Sequence, residues 1–63
     1  MKTINTNDRV MFYNHKGTVK FGTVMAKKQR LIQDEYEDIL IVETADGRTF
    51  IVDESHIIES YEQ

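Results

Sequence analysis

Three neighbouring residues, Asp53, Ser55 and His56, are the side-chain types of a hydrolytic triad. A working triad brings its members together from separate elements, so that the base reaches the nucleophile and the acid orients the base. Neighbours around one turn point in different directions, and Asp53 capping a short helical turn explains the pattern better. A single small domain also has little room for a substrate pocket of about 300 Å³ or more. The sequence therefore predicts a protein that is not an enzyme.

Acidic residues cluster around Tyr36, so a divalent-cation site is the next chemistry to consider. Hard cations need several oxygens arranged by a loop with a defined turn, whereas this stretch has no glycine and no calcium-loop spacing. The two histidines, His15 and His56, are too few and too far apart for zinc, and the chain has no cysteine. We predict no metal and no cofactor, and a solvated acidic loop. Its members are Asp34, Glu35, Glu37 and Asp38.

The first half of the chain carries the ingredients of a phosphate-binding surface. Residues 1–30 hold seven basic residues against one acid, whereas residues 31–63 hold ten acids against one base. Basic side chains interleaved with aromatic ones can follow a nucleic-acid backbone and stack on its bases. The candidates are Tyr13, Lys16, Lys20, Phe21, Lys27, Lys28 and Arg30. The net charge of −3 is opposite to the usual basic footprint, so nucleic-acid binding is the alternative function. The simpler expectation is that strands from the two halves interleave and neutralise each other.

A hairpin over residues 39–52 is the element around which the chain is organised. Two runs of β-branched and aromatic residues flank Asp46-Gly47, which is a strong hairpin-turn signal. A two-residue turn would put Glu43 on the same face as Phe50. A three-residue loop, with Gly47 in the left-handed region, instead pairs Glu43 with Thr49 and separates polar from apolar side chains. We therefore predict the three-residue loop.

This register decides which side chains of the hairpin are buried. It places four apolar residues on the inner face, namely Leu40, Val42, Phe50 and Val52. The same alternation leaves Ile39, Ile41 and Ile51 on the outer face, where polar residues are expected. An exposed apolar patch often marks a partner surface. The alternative interpretation, with equal weight, is that the chain itself covers the patch, by folding Ile4, Leu31, Ile32 or Tyr61 across it. These three isoleucines are the predicted protein interface.

The remaining elements read as short strands joined by turns. Strands are predicted over residues 8–13 and 18–28, a turn over 14–17, a single helical turn over 53–56 and a closing strand at Ile57-Ile58. Gly22 is expected to mark a bulge or bend, after which Val24 and Ala26 face the core. Residues 29–38 form a polar connection, which Leu31, Ile32 and Glu37 would shorten by extending the flanking strands. Residues 1–7 and 60–63 are expected to fray, with Ile4 held against the body.

This layout resembles that of small SH3-like barrels, including the KOW type of transcription and translation factors. The resemblance spans residues 8–58. The residues that carry it are Val10, Phe12, Gly22-Thr23-Val24, Asp46-Gly47 and Ile57-Ile58. It implies an all-β, five-stranded SH3-like barrel with a short helical turn before the last strand. For KOW-type members it also implies nucleic-acid binding linked to transcription or translation, although this chain has fewer glycines around its first turn than that type.

The 63 residues are expected to form one domain over 1–63, with an ordered core of about residues 8–60. The start of the chain has no apolar signal-peptide core and no apolar run is long enough for a membrane span, so we expect a cytoplasmic protein. The initial Met and the compact size favour a complete gene product as an expectation. The predicted function is a non-enzymatic binding module that contacts another protein, or a second copy of itself. Size and resemblance together suggest an accessory or regulatory role, for example a phage-type modulator of host machinery.

Overall fold

Five antiparallel strands and one short helix account for most of residues 4–61, the part of the chain that the computed structural model describes. The strands are β1 (Arg9–Tyr13), β2 (Val19–Ile32), β3 (Glu35–Thr44), β4 (Thr49–Asp53) and β5 (Ile57–Tyr61), with a 3-10 helix at Glu54–His56. They form one sheet in the order β4-β3-β2-β1-β5. The predicted all-β class, the five strands and the helical turn are confirmed. The sheet is not closed into a barrel, and β4 and β5 are its edges.

The β3–β4 hairpin has the predicted register, with Glu43 opposite Thr49 and the three-residue loop between them. The backbone N–H of Thr44 donates to the carbonyl of Arg48 at 2.9 Å, which closes the ladder at the loop. Gly47 has a φ of +84°, a conformation that favours glycine. The turn chemistry therefore fixes which face of the hairpin each side chain occupies.

The inner face of the sheet holds the core. Its buried apolar side chains are Ile4, Val10, Phe12, Val24, Leu40, Val42 and Val52, and Phe50 and Ile57 pack against them. The rings of Phe12 and Phe50 are 5.6 Å apart and tilted, which is a favourable aromatic arrangement. The predicted inner-face residues of the hairpin are confirmed.

Of the bulge or bend predicted at Gly22, no bulge occurs there, because the β2–β3 register is regular at Gly22 and its irregularity lies three residues later, although Val24 faces the core as predicted. The β2–β3 register shifts between Val24 and Ala26, so Met25 is the extra residue. The bulge changes which face the following residues occupy. Ala26 therefore pairs with Ile41 on the outer face, which contradicts its predicted position in the core.

Most of the polar stretch 29–38 is paired strand. This agrees with the predicted possibility that the flanking strands extend into it. β2 continues to Ile32 and β3 begins at Glu35, so the two form a long arm that ends in a tight turn. Gln33 and Asp34 both have positive φ, +48° and +67°, as a type I′ turn requires. The arm exposes most of its side chains on both faces, so no apolar alternation marks it in the sequence.

Both ends of the described part have defined backbone structure, in the regions where the sequence predicts frayed ends. Ile4 is buried as expected, and residues 5–8 make a turn in which the Asn5 N–H bonds to the Asp8 carboxylate at 2.9 Å. This turn also bonds to both backbone groups of Val24, next to the bulge. At the other end β5 continues through Tyr61. Residues 1–3 and 62–63 lie outside the described part.

Candidate functional site

The outer face of the sheet presents its side chains in rows that cross the strands. One polar row runs through paired residues from β5 to β4 and consists of Tyr61, Arg9, Thr23, Glu43 and Thr49. Apolar side chains lie on both sides of this row. The outer face therefore carries two apolar clusters with a polar boundary between them.

The first cluster contains the three predicted interface residues. Ala26, Ile41 and Ile51 lie side by side across β2, β3 and β4, and Ile39 follows in the next row. Ile51 is 69% exposed, whereas the other members are half-buried by their neighbours. We call Ala26, Ile39, Ile41 and Ile51 the isoleucine strip. The predicted outward orientation of its isoleucines is confirmed, and the bulge adds Ala26 to them.

None of the four residues expected to compete as a cover lies over the isoleucine strip. Ile4 is buried in the core on the other face of the sheet. Tyr61 is on β5, at the opposite edge from Ile51. Leu31 and Ile32 lie further along the arm and are themselves 58% and 38% exposed. Within residues 4–61, Ile51 is thus an open apolar surface.

The second cluster was not predicted as a unit. On the outer face Met11 pairs with Phe21 and Tyr13 pairs with Val19. Phe21 is 63% exposed and Tyr13 is 49% exposed. We call Met11, Tyr13, Val19 and Phe21 the aromatic cluster. The alternation of Met11 and Tyr13 with the core residues of β1 is a sequence signal for this cluster, whereas the sequence predicts a role only for Tyr13 and Phe21, as stacking platforms.

The predicted nucleic-acid residues do not lie on one face. Tyr13, Phe21, Lys28 and Arg30 share the outer face, as their pairing with outward residues requires. Lys20 and Lys27 have the opposite orientation, because they pair with Phe12 and Leu40 of the core, and Lys16 lies in the β1–β2 turn. The basic residues of the predicted nucleic-acid surface are therefore distributed over both faces of the sheet and one turn.

Two of these basic residues also form ion pairs with acidic residues from the second half of the chain. The Lys27 Nζ lies 3.9 Å from a Glu54 carboxylate oxygen and donates to the Ile4 carbonyl at 3.4 Å. Arg30 donates to Glu37 at 3.3 Å across the arm. The two ion pairs join the oppositely charged halves of the chain, and they leave less positive charge free for phosphates.

Asp53, Ser55 and His56 have the geometry of a cap. An Asp53 carboxylate oxygen accepts from the Ser55 N–H at 2.9 Å and from the Ser55 hydroxyl at 2.8 Å. The backbone bond from Ser55, followed by its hydroxyl bond, lowers the pKa of Asp53 below the ordinary value. The hydroxyl therefore donates to the acid instead of to the histidine, which is the arrangement of a capped turn.

The acidic residues of the arm are spread along a ladder. Asp34 lies in the turn, Glu37 bonds to Arg30, and Asp38 accepts from the Gln29 amide at 3.3 Å. Within the described residues no group of acids or histidines is arranged to hold a metal ion. Nor does this part of the chain contain a helix long and apolar enough to cross a membrane.

Comparisons with protein-family models, with curated proteins and with solved structures found no match.

Proposed function

We propose that this protein is a non-enzymatic binding module that contacts another protein, or a second copy of itself, through the isoleucine strip. The observation that carries the proposal is the 69% exposure of Ile51, directly beside Ile41 and Ala26. The strip places one exposed isoleucine beside three half-buried apolar side chains on a face where polar residues are expected, and contiguous apolar patches of this kind often mark partner surfaces. Binding would remove this surface from water.

The surroundings of the isoleucine strip support the same proposal. Lys28 and Asp53 flank Ile39 at one end of the strip, and the polar row containing Glu43 and Thr49 borders the other. Protein interfaces commonly combine an apolar centre with a polar rim. Oppositely charged groups at the rim would steer the encounter and favour one orientation.

A capture experiment tests the proposal directly. Immobilised protein is incubated with nuclease-treated extract of the native cell, and Ile51→Asp is compared with Tyr36→Asp. Tyr36 is a matched control, since it lies on the same strand as Ile41 and is 71% exposed, but it is on the arm. We expect Ile51→Asp to lose the captured proteins and the self-association, and Tyr36→Asp to keep them. Equal behaviour of the two variants would overturn the proposal.

A nucleic-acid-binding function is the second candidate, favoured by the exposure of Phe21 and Tyr13 on one face. Exposed aromatic rings can stack on the bases of a single strand, and Lys16 lies in the β1–β2 turn at the end of the same two strands. Binding to mixed oligonucleotides at low salt, lost steeply as salt rises and weakened by Phe21→Ala, would support it. Absence of binding at about 50 mM salt would remove it.

We also propose that the fold is SH3-like. The strand order β4-β3-β2-β1-β5, the 3-10 helix before the last strand and the long bulged second strand support this relationship. The proposal includes an accessory or regulatory role in the cytoplasm, as for a phage-type modulator, and its support is the small size of the chain and the resemblance. An experimental structure in which Val52 of β4 and Ile57 of β5 do not share one core would contradict the SH3-like assignment.

A further inference from the structure

β4 is a sheet edge without the usual protection. Natural edge strands carry lysines, prolines or bulges that prevent pairing with another chain. Thr49–Asp53 contains none of these, its one charged residue is Asp53 at the end of the strand, and its ladder with β3 runs without a shift. β5, at the other edge, has a bulged pairing with β1 and carries Glu59 opposite Met11 on the outer face. Of the two edges, β4 is therefore the one open to another strand.

The hairpin loop determines which backbone groups of β4 face outward. The backbone bond from Thr44 to Arg48 makes these two residues a hydrogen-bonded pair. Along an antiparallel ladder, hydrogen-bonded pairs alternate with non-hydrogen-bonded pairs, whose backbone groups point away from the partner strand. Thr49, Ile51 and Asp53 therefore direct their backbone N–H and C=O groups away from β3. Within residues 4–61 no backbone hydrogen bond from outside the ladder reaches Thr49, Ile51 or the Asp53 N–H. The Asp53 carbonyl is at the N-cap, where the backbone C=O accepts the first hydrogen bond of the 3-10 helix, so it is not open to another strand.

We propose that the partner is a second copy of this chain, paired antiparallel along β4 about a two-fold axis at Ile51; this rests on the proposed function of the isoleucine strip. Two hydrogen bonds join the Ile51 residues, and one joins each Asp53 N–H to the Thr49 carbonyl opposite. The same surface is used on both copies, as two-fold symmetry requires. Strand addition of this kind gives affinity through main-chain bonds.

Charge complementarity at the ends of β4 supports this partner and this register. Arg48 precedes the strand by one residue and Glu54 follows it by one residue. Antiparallel pairing centred on Ile51 places Arg48 of each copy opposite Glu54 of the other. Within one chain Arg48 lies 3.4 Å from the Asp46 carboxylate and Glu54 lies 3.9 Å from the Lys27 ammonium, but both side chains remain accessible, at 75% and 33% exposure, so each can add a second partner across the axis. A shift of the register would remove both pairs.

The same pairing also makes one apolar surface from two isoleucine strips. The Ile51 side chains meet at the axis on the outer face, with Ile41 of each copy beside them. On the inner face Phe50 of one copy lies opposite Val52 of the other. Directly opposed apolar side chains are a principal source of sheet stability. The dimer thus covers the most exposed residue of the isoleucine strip.

Complementary charge reversals test the register. We measure the mass of the wild-type chain by sedimentation from about 10 μM to about 1 mM, the range of a weak dimer. Arg48→Glu and Glu54→Arg each place like charges opposite one another, so each variant alone dissociates at least about tenfold more readily than wild type. Mixed together they restore both attractive pairs, and a heterodimer forms with wild-type affinity. Thermal unfolding of each variant confirms that it is folded.

Amide hydrogen exchange gives an independent readout. The Ile51 and Asp53 N–H groups become protected as the wild-type concentration rises, because they bond only in the dimer. The Phe50 and Val52 N–H groups are protected at every concentration, since they belong to the ladder with β3. Ile51→Lys abolishes the concentration dependence, whereas Tyr36→Lys retains it.

A wild-type monomer throughout the concentration range would overturn this inference, as would larger head-to-tail oligomers formed between β4 and β5. A dimer unaffected by either charge reversal would overturn it too. If the chain is monomeric but the capture experiment still separates Ile51→Asp from Tyr36→Asp, only the dimer is wrong. If it is monomeric and the two variants capture alike, the proposed function also fails.

Discussion

At Gly22 the backbone of β2 passes so close to β3 that no side chain fits between them. A Cβ added at this position would contact the Val42 side chain and lie 2.8 Å from the Glu43 carbonyl oxygen. Backbone atoms cannot move aside without disturbing the ladder. The requirement for glycine here is therefore steric, and it differs from the requirement at Gly17 and Gly47, where φ is positive and the surrounding space is open.

Gly22→Ala is expected to destabilise the fold by about 1–3 kcal/mol, the usual cost of overpacking. Gly17→Ala is the matched control and should cost about 1 kcal/mol, because it strains one turn residue without a clash. Urea unfolding of both variants measures the difference. A loss for Gly22→Ala no greater than that for Gly17→Ala would contradict the close approach of the two strands.

Asp53 is expected to give the fold a specific pH dependence. Its pKa is lowered in the folded protein, so its contribution to stability is complete above the unfolded pKa of about 3.9 and is lost as pH falls through the folded pKa. Asp53→Asn keeps an acceptor for the Ser55 N–H but does not titrate. The stability advantage of wild type over Asp53→Asn should therefore decrease on acidification from pH 6, as measured by urea unfolding. A constant difference would contradict the cap.

At the scale of elements, local chemistry explains which strands could be predicted. The β3–β4 hairpin follows from Asp46-Gly47 and from an alternation that one register satisfies best. The sequence predicts the arm only as a possible extension of the flanking strands, because both of its faces are exposed to water. The bulge at Met25 has no local sequence signal, and it lies next to a tertiary contact, since the turn over residues 5–8 bonds to Val24. No local pattern announces that contact.

The same reasoning applies to the candidate site. The isoleucine strip was predictable from strand parity within a single hairpin, since its three isoleucines need only one correct register. The surroundings of the bases were not predictable, because Lys27 meets Glu54 from a distant part of the chain. The aromatic cluster combines β1 with β2, and it needed the pairing of two strands before its members could be recognised as neighbours.

The turn of the arm is a place where the sequence departs from the preference of its own backbone. Gln33 and Asp34 both occupy positive φ, whereas a type I′ turn favours Asn-Gly. The double substitution Gln33→Asn with Asp34→Gly should stabilise the protein by about 0.5–1 kcal/mol, measured by thermal unfolding. Asp34→Ala keeps the strained φ and should not stabilise. Destabilisation by the Asn-Gly pair would contradict the type I′ geometry.

For the whole molecule, stability depends on a very small core. Only seven apolar side chains are buried among the described residues, and Phe12 is the largest of them that is fully enclosed. A chain of 63 residues is expected to have a total stability of about 3–9 kcal/mol. Each large core residue therefore accounts for a substantial fraction of the folding free energy, whereas the outer apolar residues contribute little to the monomer.

Two phenylalanines allow this division to be measured. Phe12→Ala should cost about 3–5 kcal/mol, which is comparable to the total and leaves much of the protein unfolded at 37 °C. Phe21 has the same side chain on the adjacent strand but is 63% exposed, so Phe21→Ala should change the stability of the monomer by less than about 0.5 kcal/mol. Circular dichroism and thermal unfolding at low protein concentration compare the two. If both substitutions destabilise the monomer equally, the outer face is packed against something, and the distinction between core and binding surface fails.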